Sequence, residues 1–467
     1  MQDAPSLWTK LAYGYGAAAY GVKDNGFSYF LLFFYSVVIG LDARLVGLAL
    51  TVALVLDALS DPVVGYWSDN FRSRWGRRHP FMYFSAIPLA ATYFLIWTPP
   101  GWSQEALFWY LLILAVLIRT FITFYETPST ALAPELASDY DQRSSLLSYR
   151  FYFAWTIGNL MSALMLFVIY PAHGRLDRES YELYGVVAAV LIVTAVLVSS
   201  VGTHGNIARL RPAPPRRSLT LAKIFKEVFE TLANRSFAAI FGAAVFAAIA
   251  QGLSAALAFP ILFYFWGFSD LQSGLAVLGV FGSAVIGSLL APVVTRRLGK
   301  KRGAIIVGLI AFTGSPLPIF LKLMGWLPND PQFVFWFVFI AGMIDVGLII
   351  CFQVLFTAMI ADLVEQAELK TGRRSEGVFF AAVTFTRKAV QGIGIITAGF
   401  VLALAQFPAG VTDPAQVTPE AAMRLGAYYA PTILALWLAM IMVLSAYKLN
   451  RSDHEQNLRK LAGRDAS

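Results

Sequence analysis

The sequence contains one cysteine, Cys351, and four histidines among 467 residues. A lone cysteine excludes a disulfide within the chain and argues against a cysteine-based metal site. All four histidines fall in predicted loops or tails, so none is expected inside the membrane as a metal ligand or proton relay. Their positions are His79, His173, His204 and His454. The scarcity of cysteine and the positions of the histidines both count against a membrane-embedded enzyme.

Charged residues are scarce as well, at 14% of the chain against roughly 25% in an average soluble protein. The sequence has no phosphate-cradling glycine loop of the P-loop type and no nucleophile motif, so neither direct use of ATP nor catalysis is indicated. Its N-terminus lacks the basic start and cleavage site of a secretory signal, and we expect the first apolar run to remain as a transmembrane helix. We therefore predict no enzymatic activity and no cofactor.

Hydrophobic residues make up 58% of the chain, and runs of about 20 apolar residues, the length that crosses a bilayer, recur along it. We predict an all-α membrane protein of about twelve transmembrane helices in the lipid bilayer, without a separate aqueous domain. Lysine and arginine concentrate in alternate loops, which by the positive-inside rule places both termini in the cytoplasm. We expect the chain to lie in the cytoplasmic (inner) membrane. The net charge of +8 thus reflects topology and does not predict a nucleic-acid partner.

The longest connection between apolar runs, residues 202–236, is rich in proline, arginine and lysine and divides the chain into two groups of about six helices. Residues 1–201 form the predicted N-terminal half, and residues 237–467 form the C-terminal half with a short cytoplasmic tail. Two motifs recur at an offset of about 230 residues: DPVV is echoed by APVV, and TALAPEL by TAMIADL. Matched motifs at one spacing favour two pseudo-symmetric halves, an architecture in which transporters hold substrate between the repeats.

Asp57 and Asp61 interrupt an apolar segment that leads into an arginine-rich stretch ending at Pro80. Because they are four residues apart, they share one helix face, with Cβ atoms about 5–6 Å apart. Acids within membrane helices are costly and mark ion or substrate pathways. In a low-dielectric site such a pair must hold a proton, bind a small hard cation or rely on a basic neighbour. A position among the wet headgroups is the alternative, but a separation of about 15 Å from the arginine-rich loop favours the bilayer midplane.

Other charged residues also interrupt the apolar segments. Each alone could be a tie between helices, and this reading suits Arg119 and Asp345 in particular. Taken together, acids on the first, second and fourth helices and bases on the first, fifth and eleventh predict a shared polar cavity. The full set is Lys23, Asp24, Arg119, Glu126, Arg150, Asp345, Arg387 and Lys388.

The stretch DPVVGYWSDNFRSRWGRRHPF resembles the loop signature of the major facilitator superfamily, in the form found in the glycoside–pentoside–hexuronide:cation symporters. The resemblance spans almost the whole chain and includes the acidic segment ADLVEQAELKTGRRSEG. It implies a major facilitator fold with a site for a coupling ion, H⁺ or Na⁺. The cation-binding residues it implies are Asp57, Asp61, Thr123 and Ser60, with both aspartates as metal ligands only if the ion is sodium. The substrate-binding residues it implies are Lys23, Asp24, Glu126, Arg150 and Lys388, of which Lys388 also neutralises the acids.

Three positions depart from the family's best-known member. Ser60 stands in place of an asparagine near the sodium ion, Glu126 in place of an aspartate, and Thr130 in place of a tryptophan suited to stacking on a sugar ring. Sodium use and galactoside specificity are therefore both open. We favour protons, because the serine side chain reaches less far than an asparagine carbonyl, whereas a proton needs only one carboxylate.

We interpret the sequence as a cation-coupled secondary symporter, a monomer that moves a sugar or glycoside by alternating access. Asp69, Arg77 and Arg78 are predicted to close its cytoplasmic side through charge-assisted ties. The alternative within transport is a carrier of lysolipids or other amphiphiles, which would need a long apolar cleft. The alternative of another class is a membrane sensor with a transporter fold. The lack of a cytoplasmic effector domain counts against this alternative.

Overall fold

The computed structural model describes residues 5–136, 140–207, 235–371, 376–411 and 413–447. At some positions within these ranges only the backbone is described, among them Asp69 and residues 376–389. All regular structure in the described ranges is helical, as predicted from the sequence. Within these ranges twelve helical runs, named α1 to α12 below, follow one another along the chain.

The helices have the following bounds: α1, residues 7–38; α2, Ala43–Asn70; α3, His79–Ile96; α4, Gln104–Thr130; α5, residues 140–173; α6, Arg178–His204; α7, residues 235–265; α8, Asp270–Leu298; α9, residues 300–323; α10, Pro331–Thr371; α11, Glu376–Leu404; and α12, Pro419–Ser445. Short turns of helix add Ala133–Leu136 and Pro414–Gln416. Ten of the helices, all except α1 and α11, are long and apolar enough to cross a membrane by length and composition. The chain is thus a multi-pass membrane protein.

Turns of π-helix interrupt three of the helices. They lie at Gly26–Phe30 and Phe34–Val38 in α1, at Met165–Ile169 in α5 and at Ile261–Phe265 in α7. Turns of this kind are rare and often occur at functional sites. The first of them follows directly after Lys23 and Asp24, so α1 changes its helical pitch beside two of the predicted site residues.

The ends of α1 and α7 resemble each other. Each π turn contains a tyrosine, Tyr35 or Tyr264, and is followed by a glycine with a positive φ, 87° at Gly40 and 73° at Gly267. Glycine adopts this conformation without the steric penalty that other residues incur. The two tyrosines are separated by nearly the same distance in sequence as the DPVV and APVV motifs. This third match agrees with a repeated architecture, while a division at residues 202–236 stays a prediction.

Polar side chains start several helices. Ser103 accepts a hydrogen bond from the Ala106 amide at the start of α4, and Asp177 accepts one from the Glu179 amide at the start of α6. Asp42 caps α2 and also binds the Arg44 guanidinium, with 2.8 Å between Oδ2 and Nη2. The hydrogen bond from Arg44 lowers the pKa of Asp42 below its usual value. These caps satisfy amides that have no partner within the helix and fix where each helix begins.

By internal contact the chain forms two compact units. The first comprises Met1–Arg217, Ala255–Val277 and Ile395–Thr418, and the second comprises Ser218–Ser254, Leu278–Gly394 and Pro419–Ser467. Within the first unit, α2 packs against α4, α3 against α4 and α6, and α1 against α5 and α6. Within the second unit, α9 packs against α10 and α12. The residues predicted to bind the cation or the substrate, or to form the gate, all belong to the first unit where their side chains are described.

Glycine allows α1 and α5 to approach closely. A Cβ atom on Gly21 would lie 2.0 Å from the backbone oxygen of Ala154, and one on Gly158 would lie 2.8 Å from the backbone oxygen of Gly21. Small residues in such seams let membrane helices pack backbone to backbone. The seam therefore holds the segment of α1 that carries Lys23 and Asp24 firmly against α5.

The prediction that all four histidines lie in loops or tails was wrong for three of them. His79 begins α3, His173 ends α5 and His204 ends α6. His79 is fully buried, with Nε2 3.0 Å from the Thr203 hydroxyl of α6, so this hydrogen bond holds the ring inside the helix packing. Cys351 is also fully buried, within α10.

Candidate functional site

One face of the largely apolar helix α4 carries four polar side chains that are spaced at helical steps. They are Arg119, Thr123, Glu126 and Thr130, at steps of four, three and four residues. Such steps return to the same side of a helix. Arg119 and Thr123 are buried, Glu126 is half-buried and Thr130 is exposed. We call these four residues the polar face of α4.

Thr123 lies between the two aspartates of α2. Its Oγ1 is 3.0 Å from Asp57 Oδ1 and 2.9 Å from Asp61 Oδ1. The packing of α2 against α4 thus brings together three of the four residues predicted to bind the cation. Within the described ranges, no group of three or more histidine, cysteine, aspartate and glutamate side chains is placed to hold a metal ion. The oxygens that Asp57, Asp61 and Thr123 present are hard ligands that suit a proton or a small hard cation.

Arg119 contacts the other oxygen of Asp57. Its Nη1 is 3.3 Å from Asp57 Oδ2, and its guanidinium lies over the ring of Phe27 on α1, 5.1 Å from the centroid. Sequence alone presents Arg119 as a tie between helices. Arg119 does connect α4 to α1 and α2. Its contact with Asp57 also makes it part of the predicted cation site. The four-residue step from Arg119 to Thr123 is the signal that could have placed it there.

Ser60 faces its own helix. Its hydroxyl donates to the backbone oxygen of Asp57 at 3.0 Å, which satisfies the hydroxyl within α2. The described contacts give Ser60 no bond to either carboxylate, so its role as a cation ligand stays a prediction.

Glu126 forms an ion pair with Arg150 of α5. Arg150 Nη2 is 2.6 Å from Glu126 Oε1, and the same nitrogen donates to the Thr130 hydroxyl at 3.1 Å. Its Nη1 donates to the Ser129 hydroxyl at 3.0 Å, and the guanidinium lies over the ring of Tyr13. The Arg150 side chain is only 6% exposed, whereas that of Glu126 is 32% exposed. The two predicted substrate residues thus form one polar cluster on α4 and α5, in which Arg150 is buried and Glu126 is half-buried.

Lys23 and Asp24 form a second, weaker ion pair on α1. Lys23 Nζ is 3.4 Å from Asp24 Oδ1 and lies 4.5 Å from the centre of the Tyr20 ring. The Lys23 side chain is buried, whereas that of Asp24 is 48% exposed. Asp24 and Glu126 therefore belong to separate ion pairs, each with its own basic partner. The side chain of Lys388, the fifth predicted substrate residue, lies outside the described part of the chain.

The two predicted gating arginines share one partner. Arg77 Nη2 and Arg78 Nε are 2.5 and 2.7 Å from Glu135 Oε1. Glu135 is buried in the short helical turn after α4, at the end of α4 that carries Thr130. The sequence showed this residue only as part of the TALAPEL echo. The side chain of Asp69, the third predicted gating residue, is outside the described atoms.

Comparison with known proteins gives consistent results. The chain matches the family described as MFS/sugar transport protein over residues 12–451. The uncharacterized symporter sll1374 of Synechocystis is 27% identical to it over 98% of this chain and 96% of its own length. The isoprimeverose transporter of Lactiplantibacillus pentosus is 24% identical over 91% and 85% of the two chains.

A solved structure gives the same fold. The nucleoside transporter NupG aligns with a TM-score of 0.64 at 16% sequence identity, covering 95% of this chain and 99% of NupG. At this identity the likeness concerns the arrangement of helices alone.

Proposed function

The chain belongs to the MFS/sugar transport protein family of the major facilitator superfamily, and from this membership we propose that it couples the movement of a sugar or glycoside to that of a cation. It is a transporter and not an enzyme. Alternating access then requires a state that accepts both ligands. Coupling means that each ligand raises the affinity of the other by the same factor.

The polar face of α4 is the observation that carries this proposal. Through Thr123 it contacts the aspartates of α2, and through Glu126 it contacts Arg150 of α5. Three residues of helix, a rise of about 4.5 Å, separate Thr123 from Glu126. A cation at the aspartate pair and a solute at Glu126 would therefore act on the same rigid helix, one turn apart.

The carboxylates of Asp24 and Glu126 and the guanidinium of Arg150 favour a solute with many hydroxyl groups. Glu126 Oε2 is buried and has no hydrogen-bond partner among the described residues, and the Asp24 carboxylate is about half exposed. Carboxylate acceptors and a guanidinium donor give charge-assisted, orientation-specific hydrogen bonds to hydroxyls. An amphiphile carrier would need apolar surface here instead.

The contacts of Thr123 favour a proton as the coupling ion. A threonine hydroxyl carries one hydrogen, yet Thr123 Oγ1 lies within hydrogen-bond distance of both carboxylates. A proton on one carboxyl supplies the missing hydrogen, because the acid then donates to Thr123 while Thr123 donates to the other carboxylate. Asp61 is the better carrier of that proton, since Asp57 already faces Arg119.

The contact of Arg77 and Arg78 with Glu135 supports a gate at the arginine-rich end of the first unit. This end faces the cytoplasm if the positive-inside rule holds for this chain. Because all three side chains are largely removed from water, the ties would have to break for that end to open.

The test is uptake into proteoliposomes that hold the purified full-length protein. A panel of radiolabelled mono- and disaccharides, glycosides and a lysolipid is offered under an imposed pH gradient or, separately, an imposed sodium gradient. Asp57→Asn and Asp61→Asn are measured beside Asp42→Asn, a matched control that makes the same change at the exposed cap of the same helix. We expect a sugar or glycoside to accumulate with the pH gradient, and both site variants to lose accumulation while keeping downhill exchange.

Four outcomes would contradict parts of the proposal. Full uphill transport by either site variant would reject the cation site. Strict dependence on sodium at fixed pH would reject the proton. Accumulation of the lysolipid alone would favour the amphiphile carrier, and absence of any transport beside specific solute binding would favour the sensor.

A further inference from the structure

Arg119 is a fixed positive charge inside the candidate cation site. Its side chain is 7% exposed and its Nη1 contacts Asp57 Oδ2, whereas its Nε has no hydrogen-bond partner among the described residues. An arginine keeps its charge in proteins under all ordinary conditions. The site therefore contains a cation that belongs to the protein itself.

The surroundings of Arg119 hold this charge in place. The Phe27 ring covers one face of the guanidinium, and an aromatic face attracts a cation electrostatically. A desolvated guanidinium that left Asp57 would also leave a buried carboxylate without its partner, which is strongly unfavourable. Two independent contacts, one from α1 and one from α2, thus oppose any movement of Arg119 away from the pair.

A sodium ion would need the same carboxylates. Hard metal cations are bound by carboxylate and hydroxyl oxygens, and two ionised carboxylates would offer such an ion two negative charges. Here Asp57 Oδ2 already faces Arg119, and with the charge of the guanidinium counted the two carboxylates retain one negative charge instead of two for a metal ion. A metal ion beside Asp57 would also lie close to the guanidinium, and unit charges about 4 Å apart interact strongly even at an effective dielectric constant of about 20.

We propose that Arg119 determines the cation selectivity of this transporter by occupying, as a built-in cation, the charge position that a sodium ion would fill. The inference rests on the proposed function only in taking Asp57 and Asp61 as the cation site. It adds a residue that excludes sodium while leaving Asp61 accessible to a proton. The cation selectivity then depends on a side chain of α4 as well as on the carboxylate oxygens of α2.

The test measures sodium binding directly and needs no transported solute. Purified full-length protein is titrated with ²²Na⁺ in a scintillation proximity assay, with choline chloride keeping the ionic strength constant. Wild type should bind no sodium saturably, whereas Arg119→Gln, which keeps a polar side chain and loses the charge, should bind sodium saturably. The double variant Arg119→Gln with Asp61→Asn should lose that binding, which locates the gained site.

Two control variants separate charge from shape. Arg44→Gln removes an exposed arginine from an ion pair on α2 and should leave sodium binding absent, as in wild type. Arg119→Lys keeps a positive charge and should also remain without sodium binding. If Arg119→Gln does not fold, Arg119→Ala makes the same charge change without requiring a polar amide to be satisfied.

The proposal is overturned if wild type binds sodium saturably and Asp61→Asn removes that binding. It is also overturned if both neutral variants fold and gain no sodium binding, or if Arg119→Lys gains as much as Arg119→Gln. None of these results depends on uptake, so a failure to find a transported sugar would count against the proposed function and leave the role of Arg119 standing.

Discussion

Replacing Thr123 by valine removes the hydroxyl between Asp57 and Asp61 while nearly keeping the shape of the side chain. With one proton on the pair, that hydroxyl takes part in two hydrogen bonds, one as donor and one as acceptor. With no proton on the pair, it can make only one. The singly protonated pair therefore loses one more hydrogen bond than the ionised pair when the hydroxyl is removed.

The size of the effect follows from this difference. The additional bond that is lost is the one from the neutral carboxylic acid to the threonine hydroxyl, and a hydrogen bond between neutral groups contributes about 0.5–1.5 kcal/mol, which is roughly two- to tenfold in an equilibrium constant. Proton binding should weaken by that factor. The pH that gives half-maximal uptake should therefore move to the acidic side by about half a unit to one unit, since one unit corresponds to about 1.4 kcal/mol.

The measurement is the initial rate of proton-driven uptake in proteoliposomes as a function of pH, with the solute identified in the panel. Thr123→Ser restores the hydroxyl and should restore the wild-type profile. Ser60→Ala removes a hydroxyl that bonds only to the backbone of α2 among its described contacts, and it should leave the profile unchanged. An unshifted profile in Thr123→Val, in protein that unfolds at the wild-type temperature, would refute the hydrogen-bond reasoning.

Three further changes test other parts of the structure. Asp24→Asn should weaken solute binding about tenfold or more and spare cation binding, because it removes a charge-assisted acceptor; equal solute affinity in equilibrium binding would contradict this. Arg77→Gln with Arg78→Gln should slow transport while solute binding persists, and loss of binding by folded, inserted protein would exclude a gating role. Gly21→Ala should lower the thermal midpoint in detergent, since overpacking costs about 1–3 kcal/mol, and an unchanged midpoint would show that α1 and α5 can separate freely.

The part of the site on α2 could be predicted from the sequence because its signal is local. The four-residue step from Asp57 to Asp61 in an apolar segment sets a shared helix face before any packing is known. The all-helical membrane fold is similarly a matter of apolar length, and it was predicted correctly. The spacing along α4 is equally local, and Arg119 could have been found from it.

The pairings between helices could not be predicted in the same way. Arg119 meets Asp57 across 62 residues of sequence, and Arg78 meets Glu135 across 57. A sequence shows which charges a helix carries, but the rotation of each helix about its axis comes from packing over its whole length. The π turns in α1 add to this difficulty, because each one shifts the faces of all residues beyond it.

The burial of Cys351 has a practical consequence for spectroscopy. Thiol reagents require an accessible thiolate, and this thiol is enclosed within α10. The native chain should therefore react very little with maleimides and thiol-directed spin labels. Cysteines introduced at exposed positions, such as Trp102 in the first unit and Trp326 in the second, would then carry the only labels. Distances between the two units could be followed through the transport cycle without first removing a native residue.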